Sequence, residues 1–175
     1  MALAACVSLG ASPSPPPEKV FLTLEEALAL CFEGCEIAKE VVYLTDEQRA
    51  AAAKLSRVEL EAKIVRPYVA TKDGKRVGVA YVDVHRVRSL KESVLVVVDP
   101  AGKIARVELL SFAEPLEYVP KAQWWGQFVG KPLDDELALK RGIRGITGAT
   151  LSARAAVDSA RRVLALHKVL EDSKS

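Results

Sequence analysis

Apolar residues recur at every second position through Val77, Val79 and Tyr81, with Val84 closing the run one step out of phase. That period puts one face of a strand into a core, so the spacing predicts a strand over 76–85. Just before it, Lys72-Asp73-Gly74-Lys75 has Asp-Gly at its centre, the signal of a two-residue hairpin turn. Residues 60–71 read as a strand interrupted at Pro67, and a proline inside a strand places it at an edge. Residues 93–98 are almost wholly apolar, the mark of a central strand. Asp99-Pro100-Ala101-Gly102 turns the chain, and 104–112 returns. Connections this short join antiparallel neighbours, and the four segments predict a meander.

Helical signals lie on both sides of these strands. Thr23 with Glu26 forms a capping-box pattern opening a helix to about Phe32, with Gly34 beyond its end. Thr45 with Gln48 opens a second, to about Leu55, and 41–44 before it is a short strand or packing segment. Pro120 precedes a short helix carrying Trp124, Trp125 and Phe128. After Gly148 no Gly or Pro occurs, and 151–170 predicts a long amphipathic helix. Ala153, Val157, Ala160 and Leu164 share one face, while Arg154, Asp158, Arg161 and Arg162 lie on another. The expected fold is α+β: a small antiparallel sheet flanked by helices, ending in a long C-terminal helix. Residues 18–60 are expected to form a helical segment packed on a domain of 61–170, with 171–175 a tail.

Composition narrows the class. With 175 residues, half of them hydrophobic, one domain with a real core is expected. A net charge of +2 without a clustered basic excess argues against a nucleic-acid partner. Two histidines and three cysteines, with no Cys-x-x-Cys, give no zinc or c-type haem pattern. Asp134-Asp135-Glu136 reads as a solvated loop before a helix rather than a metal site, and no metal is expected. No apolar run approaches the roughly 18 residues of a membrane span. Residues 12–17 have the Pro/Ser composition of a tether, and 1–17 as a whole is read as signal remnant and tether. Leu3-Ala4-Ala5-Cys6 matches the small-residue pattern before the lipid-modified Cys of bacterial lipoproteins. The sequence leaves open a lipid anchor on Cys6, the remnant of an ordinary export signal, and a chance match. Cys31 and Cys35 are either a bridge across a helix end or two buried thiols, the second being favoured.

Catalytic side chains are not evident. His85 in a strand and His167 near a helix C-terminus both read as structural, a His167 cation suiting the negative end of the dipole. The chemistry-bearing stretch is Gly145-Ile146-Thr147-Gly148-Ala149-Thr150, which enters the last helix. Unpaired N–H groups and a positive dipole end make such an entry an anion site, with Lys140, Arg141 and Arg144 adding positive charge upstream. Spacing alone leaves a plain helix cap at Thr147 or Thr150 as the alternative. Trp124, Trp125 and Phe128 likewise read as core or, in one case, as the wall of a ligand site.

Ile146-Thr147-Gly148-Ala149-Thr150 followed by Leu151-Ser152 resembles the motif of the FMN-binding domain family, as do Leu22-Thr-Leu-Glu-Glu-Ala-Leu, Tyr43-Leu-Thr-Asp-Glu-Gln-Arg, 94–100 and Glu114-Pro-Leu-Glu-Tyr. The family includes the covalent-FMN flavoprotein subunits of the Rnf and sodium-pumping NADH:quinone oxidoreductase complexes, and the resemblance, over about 20–170, is to its soluble single-domain branch. It implies FMN held at Thr147, Gly148, Ala149, Thr150, Leu151 and Ser152, joined to Thr150 through a phosphodiester bond made by a flavin transferase. One residue departs from the pattern. The family opens its motif with Asp three residues before the first hydroxyl, and Arg144 stands there, so the resemblance bears more on the fold than on the attachment. The implied function is an electron-transfer flavoprotein of the cell envelope. It would be exported to the periplasmic or extracytoplasmic face of the membrane, with membrane redox proteins as electron donor and acceptor. A flavin-dependent reductase of a small acceptor and a flavin-free envelope module are the alternatives.

Overall fold

A computed structural model describes residues 18–174. The expectations for the 1–17 tether and for Cys6 lie outside the described residues. The architecture is α+β, a curled six-stranded antiparallel sheet with helices on both faces, as the periodicity predicts. The meander is β5 (Tyr68–Lys72), β6 (Lys75–Arg86), β7 (Lys91–Val98) and β8 (Ile104–Phe112). Asp73 and Gly74 turn β5 into β6 with φ of 52° and 73°, the pair of positive values that a tight hairpin turn of this hand requires.

Two short strands escaped the sequence reading. β1 (Lys19–Val20) pairs with β8 and β2 (Glu36–Lys39) with β5, so the order is β1-β8-β7-β6-β5-β2. The stretch expected to be a helical segment therefore supplies both edges of the sheet. Pro67 does not place β5 at an edge, because β2 pairs along its outer side; instead it splits the expected 60–71 strand into β4 (Ile64–Val65) and β5, and β4 pairs apart with β3 (Val42–Tyr43).

Both capping boxes form with reciprocal bonds. Thr23 caps α1 (Leu24–Cys31), and Thr45 caps α2 (Asp46–Ser56). α1 covers one face of the sheet, packing Ala27, Leu28 and Phe32 against Ala80, Leu95, Val97 and Leu110. The Phe32 ring lies so close to Gly78 that a Cβ there would stand 3.1 Å from it and 3.2 Å from the Val98 carbonyl. The other face carries the larger core, in which Val79, Tyr81, Val94, Val96, Val98 and Ile104 meet α4 (Thr150–Asp172). Trp125, in the short helix α3 (Ala122–Trp125), and Phe128 are buried there, which settles them as core residues. α4 runs through Asp172, into the expected tail.

α4 is less amphipathic in place than in sequence. Its predicted apolar face is buried, but so is Arg161, at 8% exposure, and Arg162 is half-buried. The sheet curls around one side of the helix, while α2 and the irregular 131–149 segment close over the other. Arg161 is buried there because it has backbone acceptors: Nε donates to the Ser56 carbonyl at 2.7 Å, and Nη1 to Asp134 and Leu137 carbonyls at 2.7 and 3.1 Å. Asp134, Asp135 and Glu136 are exposed, as a solvated loop should be, but no helix follows directly; the chain stays irregular until Thr150.

Candidate functional site

The predicted turn is built from a glycine and an uncapped helix start. Gly148 sits at φ 82°, where a Cβ would be strained. Ala149 N–H donates to the Ile146 carbonyl at 3.1 Å, closing the turn, and Ala153 N–H makes the first helical bond, to Ala149, at 3.1 Å. The cap residue is Ala149 and among the described residues no side chain bonds the helix start, so neither Thr147 nor Thr150 serves as the cap. The N–H groups of Thr150, Leu151 and Ser152 precede the intrahelical ladder, and no acid lies in the first turn of α4. The turn is held from upstream through backbone: Trp124 Nε1 donates to the Arg144 carbonyl at 2.8 Å, and Arg144 N–H to Gln127 Oε1 at 2.9 Å.

A cleft of about 260 Å³ opens over this helix start. Gly148, Ala149, Thr150, Leu151 and Ser152 form one wall, and Val87, Arg88, Glu114 and Tyr118 the other. Thr147 is exposed and outside the lining. Two separated stretches that carry the family resemblance, 114–118 and the turn, thus meet across one cleft. Glu114 is buried and accepts from the N–H groups of Ser89 and Leu90 at 2.9 and 3.0 Å. Those backbone donors, Ser89 first, hold its carboxyl below the usual range. Arg88, on the loop that Glu114 fastens, lies over the Tyr118 ring at 5.4 Å, within cation–π range. Arg88 and Tyr118 were missed as site residues; drawing the β6–β7 register would have placed Arg88 at the hairpin tip. The upstream charges contribute less than expected: Arg141 pairs with Asp135, and Lys140, Arg141 and Arg144 do not line the cleft.

A second cleft, about 520 Å³, lies between β6, the 58–62 segment and the second to fourth turns of α4. A charged cluster borders it. Arg162 grips Asp83 with a two-pronged fork, Nε–Oδ1 at 2.9 Å and Nη2–Oδ2 at 3.0 Å. His85 Nδ1 meets Asp83 Oδ2 at 2.9 Å, and its Nε2 meets Glu92 Oε2 at 3.1 Å. Burial alone would lower the His85 pKa, but the bonds to Asp83 and Glu92 outweigh it and raise it to about 9. Burial would raise Asp83, yet His85 and Arg162 hold its carboxyl far below the ordinary range.

The remaining expectations resolve differently. His167 is buried and its Nδ1 lies 2.9 Å from the Tyr81 hydroxyl; burial lowers its pKa, so it is a neutral core ring and not a dipole-capping cation. Cys31 and Cys35 are free, half-buried thiols packed against the α1-side core, and burial pushes Cys31 up to about 11. Among the described residues no cluster of His, Cys, Asp and Glu is arranged to hold a metal ion, and no helix is long and apolar enough to cross a membrane. The chain matches no protein-family model and no curated protein sequence.

Proposed function

We propose that the chain is an FMN-binding electron carrier of the FMN-binding domain family, with the cofactor phosphate esterified to Thr150. The observation that carries this reading is the meeting of the motif turn, at an uncapped helix start free of acids, with Arg88 and Tyr118 across one cleft. Thr150 is exposed and is the first residue of α4. An anion joined to its Oγ1 would lie at the positive end of a 23-residue helix. Gly148 and Ala149 present little bulk to that anion, and Arg88 supplies a cation on the facing wall.

Bound there, the flavin supplies the one- and two-electron chemistry; the chain supplies place, charge and exclusion of water. The cleft is smaller than the roughly 300–1,000 Å³ that encloses a ligand of drug size. It would cover part of an FMN and leave an edge accessible, as electron exchange with another protein needs. The proposed setting is the extracytoplasmic face of a membrane, where a covalent bond prevents loss of the cofactor by diffusion. A flavin transferase and membrane redox proteins would be the partners.

The 520 Å³ cleft beside the same helix favours, as a second reading, reduction of a small acceptor docked next to the flavin. The test is intact mass after co-expression with a flavin transferase. The carrier reading expects a gain of one FMN less one water, abolished in Thr150→Val and retained in Thr147→Val. Retention in Thr150→Val with loss in Thr147→Val would overturn the assignment. Faster oxidation of the reduced protein by small acceptors than by a membrane fraction would favour the reductase.

A further inference from the structure

We infer that His85, bridging Asp83 and Glu92, is a positioning residue for the flavin cleft: it couples the 87–90 loop that forms one wall to the helix that forms the other. The inference rests on the reading of that cleft as the flavin seat.

His85 and Glu92 face each other across β6 and β7, one rung below the last pair, Arg86 and Lys91. Above that rung Val87 N–H closes the loop onto the Leu90 carbonyl at 3.1 Å, and Glu114 fastens Ser89 and Leu90 from behind. Below it, the Arg162 fork ties Asp83 to α4. His85 is the link between these two attachments. A neutral imidazole has one N–H to give, so a ring placed between two ionised carboxylates at 2.9 and 3.1 Å donates to both only as the imidazolium. The need for it is sharp at Glu92, which is fully buried and whose Oε1 has no hydrogen-bond partner among the described residues. With His85 and Arg162 cationic, the two carboxylates are balanced charge for charge. Without the His85 proton, Asp83 keeps its fork to Arg162, but Asp83 and the buried Glu92 must share one imidazole N–H, and the chain of bonds from Glu92 through His85 and Asp83 to α4 is broken at His85. The other charged groups around His85 are Arg86 on its own strand, Lys91 on β7, Asp158 on α4, and Glu59 and Glu61 on the segment across the second cleft.

The test uses the full chain loaded with flavin, and His85→Gln, which keeps the size and hydrogen-bonding capacity but not the charge. The flavin visible spectrum, the Ser89 and Leu90 amide signals and the His85 ring signal are followed from pH 6 to beyond the His85 midpoint. In the parent protein all should change together near pH 9; in His85→Gln the spectrum and amides should stay flat through that range. A purely local structural role would move the melting temperature without this shared midpoint. Amides or a spectrum that ignore the His85 titration, or a transition that persists in His85→Gln, would overturn the inference. Should His85→Gln not fold, Glu92→Gln should lower the proton affinity of His85 at least tenfold, and an unchanged midpoint would refute the bridge. A chain that gains no flavin mass sinks the cofactor reading, and this inference with it. Unresponsive amides in a loaded chain sink the inference alone.

Discussion

Replacing Arg161 by Met tests whether the guanidinium buried under α2 is a structural cap. Its three acceptors are backbone carbonyls, those of Ser56, Asp134 and Leu137. Met keeps the apolar stem and much of the volume, so packing changes little. Ser56 and Leu137 are fully buried, and an orphaned buried acceptor costs about 1–3 kcal/mol. Asp134 is exposed, and its carbonyl recovers water at small cost. The expected loss is therefore about 2–6 kcal/mol, a large part of the roughly 5–15 kcal/mol that holds a domain together. Urea denaturation with an unchanged m-value is the assay. Arg161→Lys should recover only part of the loss, because one ammonium cannot reach carbonyls from two segments as a planar fork does. The loss should also be indifferent to salt, since among the described residues no carboxylate bonds the group and screening acts mainly on exposed charge pairs. A loss under about 1 kcal/mol, within reach of an ordinary surface substitution, would refute the argument, as would a strong salt dependence.

Three further outcomes follow from the same geometry. The pKa of His85 is raised from 6.5 to about 9 by its carboxylates, so its stabilising contribution, on the order of 3 kcal/mol, is fully present below pH 6.5 and should be lost as pH rises through 9; a melting temperature flat from pH 6 to 10 would contradict this. Cys31, raised to about 11 by burial, should alkylate at pH 8 at least tenfold more slowly in the native than in the urea-unfolded chain, and equal rates would show an accessible thiolate. Arg144→Asp, which keeps the backbone bonds to Trp124 and Gln127, should raise flavin occupancy under limiting transferase; equal or lower occupancy by intact mass would make Arg144 neutral or a phosphate ligand.

Local signals carried much of the fold. The two capping boxes and the Asp73-Gly74 turn depend on contacts within a few residues, so sequence spacing was enough to find them. β1 and β2 depend instead on partners far along the chain, Lys19 on Phe112 and Glu36 on Thr71, and neither short strand has an apolar alternation of its own. Arg161 defeated the helical-face argument because its neighbours are carbonyls of α2 and of an irregular segment, which no periodicity reveals. The turn at Thr150 was legible from its glycines and hydroxyls, but the opposite wall was not. Arg88 and Tyr118 reach it only through a hairpin register and a buried glutamate. His85 and Glu92 look like scattered polar residues until β6 and β7 are paired.

The sheet keeps its two apolar clusters apart, one under α4 and one under α1. The turn, both charged clefts and the long helix all belong to the first. The α1 side carries Cys31 and Cys35, the two free thiols among the described residues, on the opposite face of the sheet from α4. For an electrode or a single-molecule surface, that side is the natural point of attachment: a linker on Cys35 would leave the helix start facing solution, with its approach unobstructed.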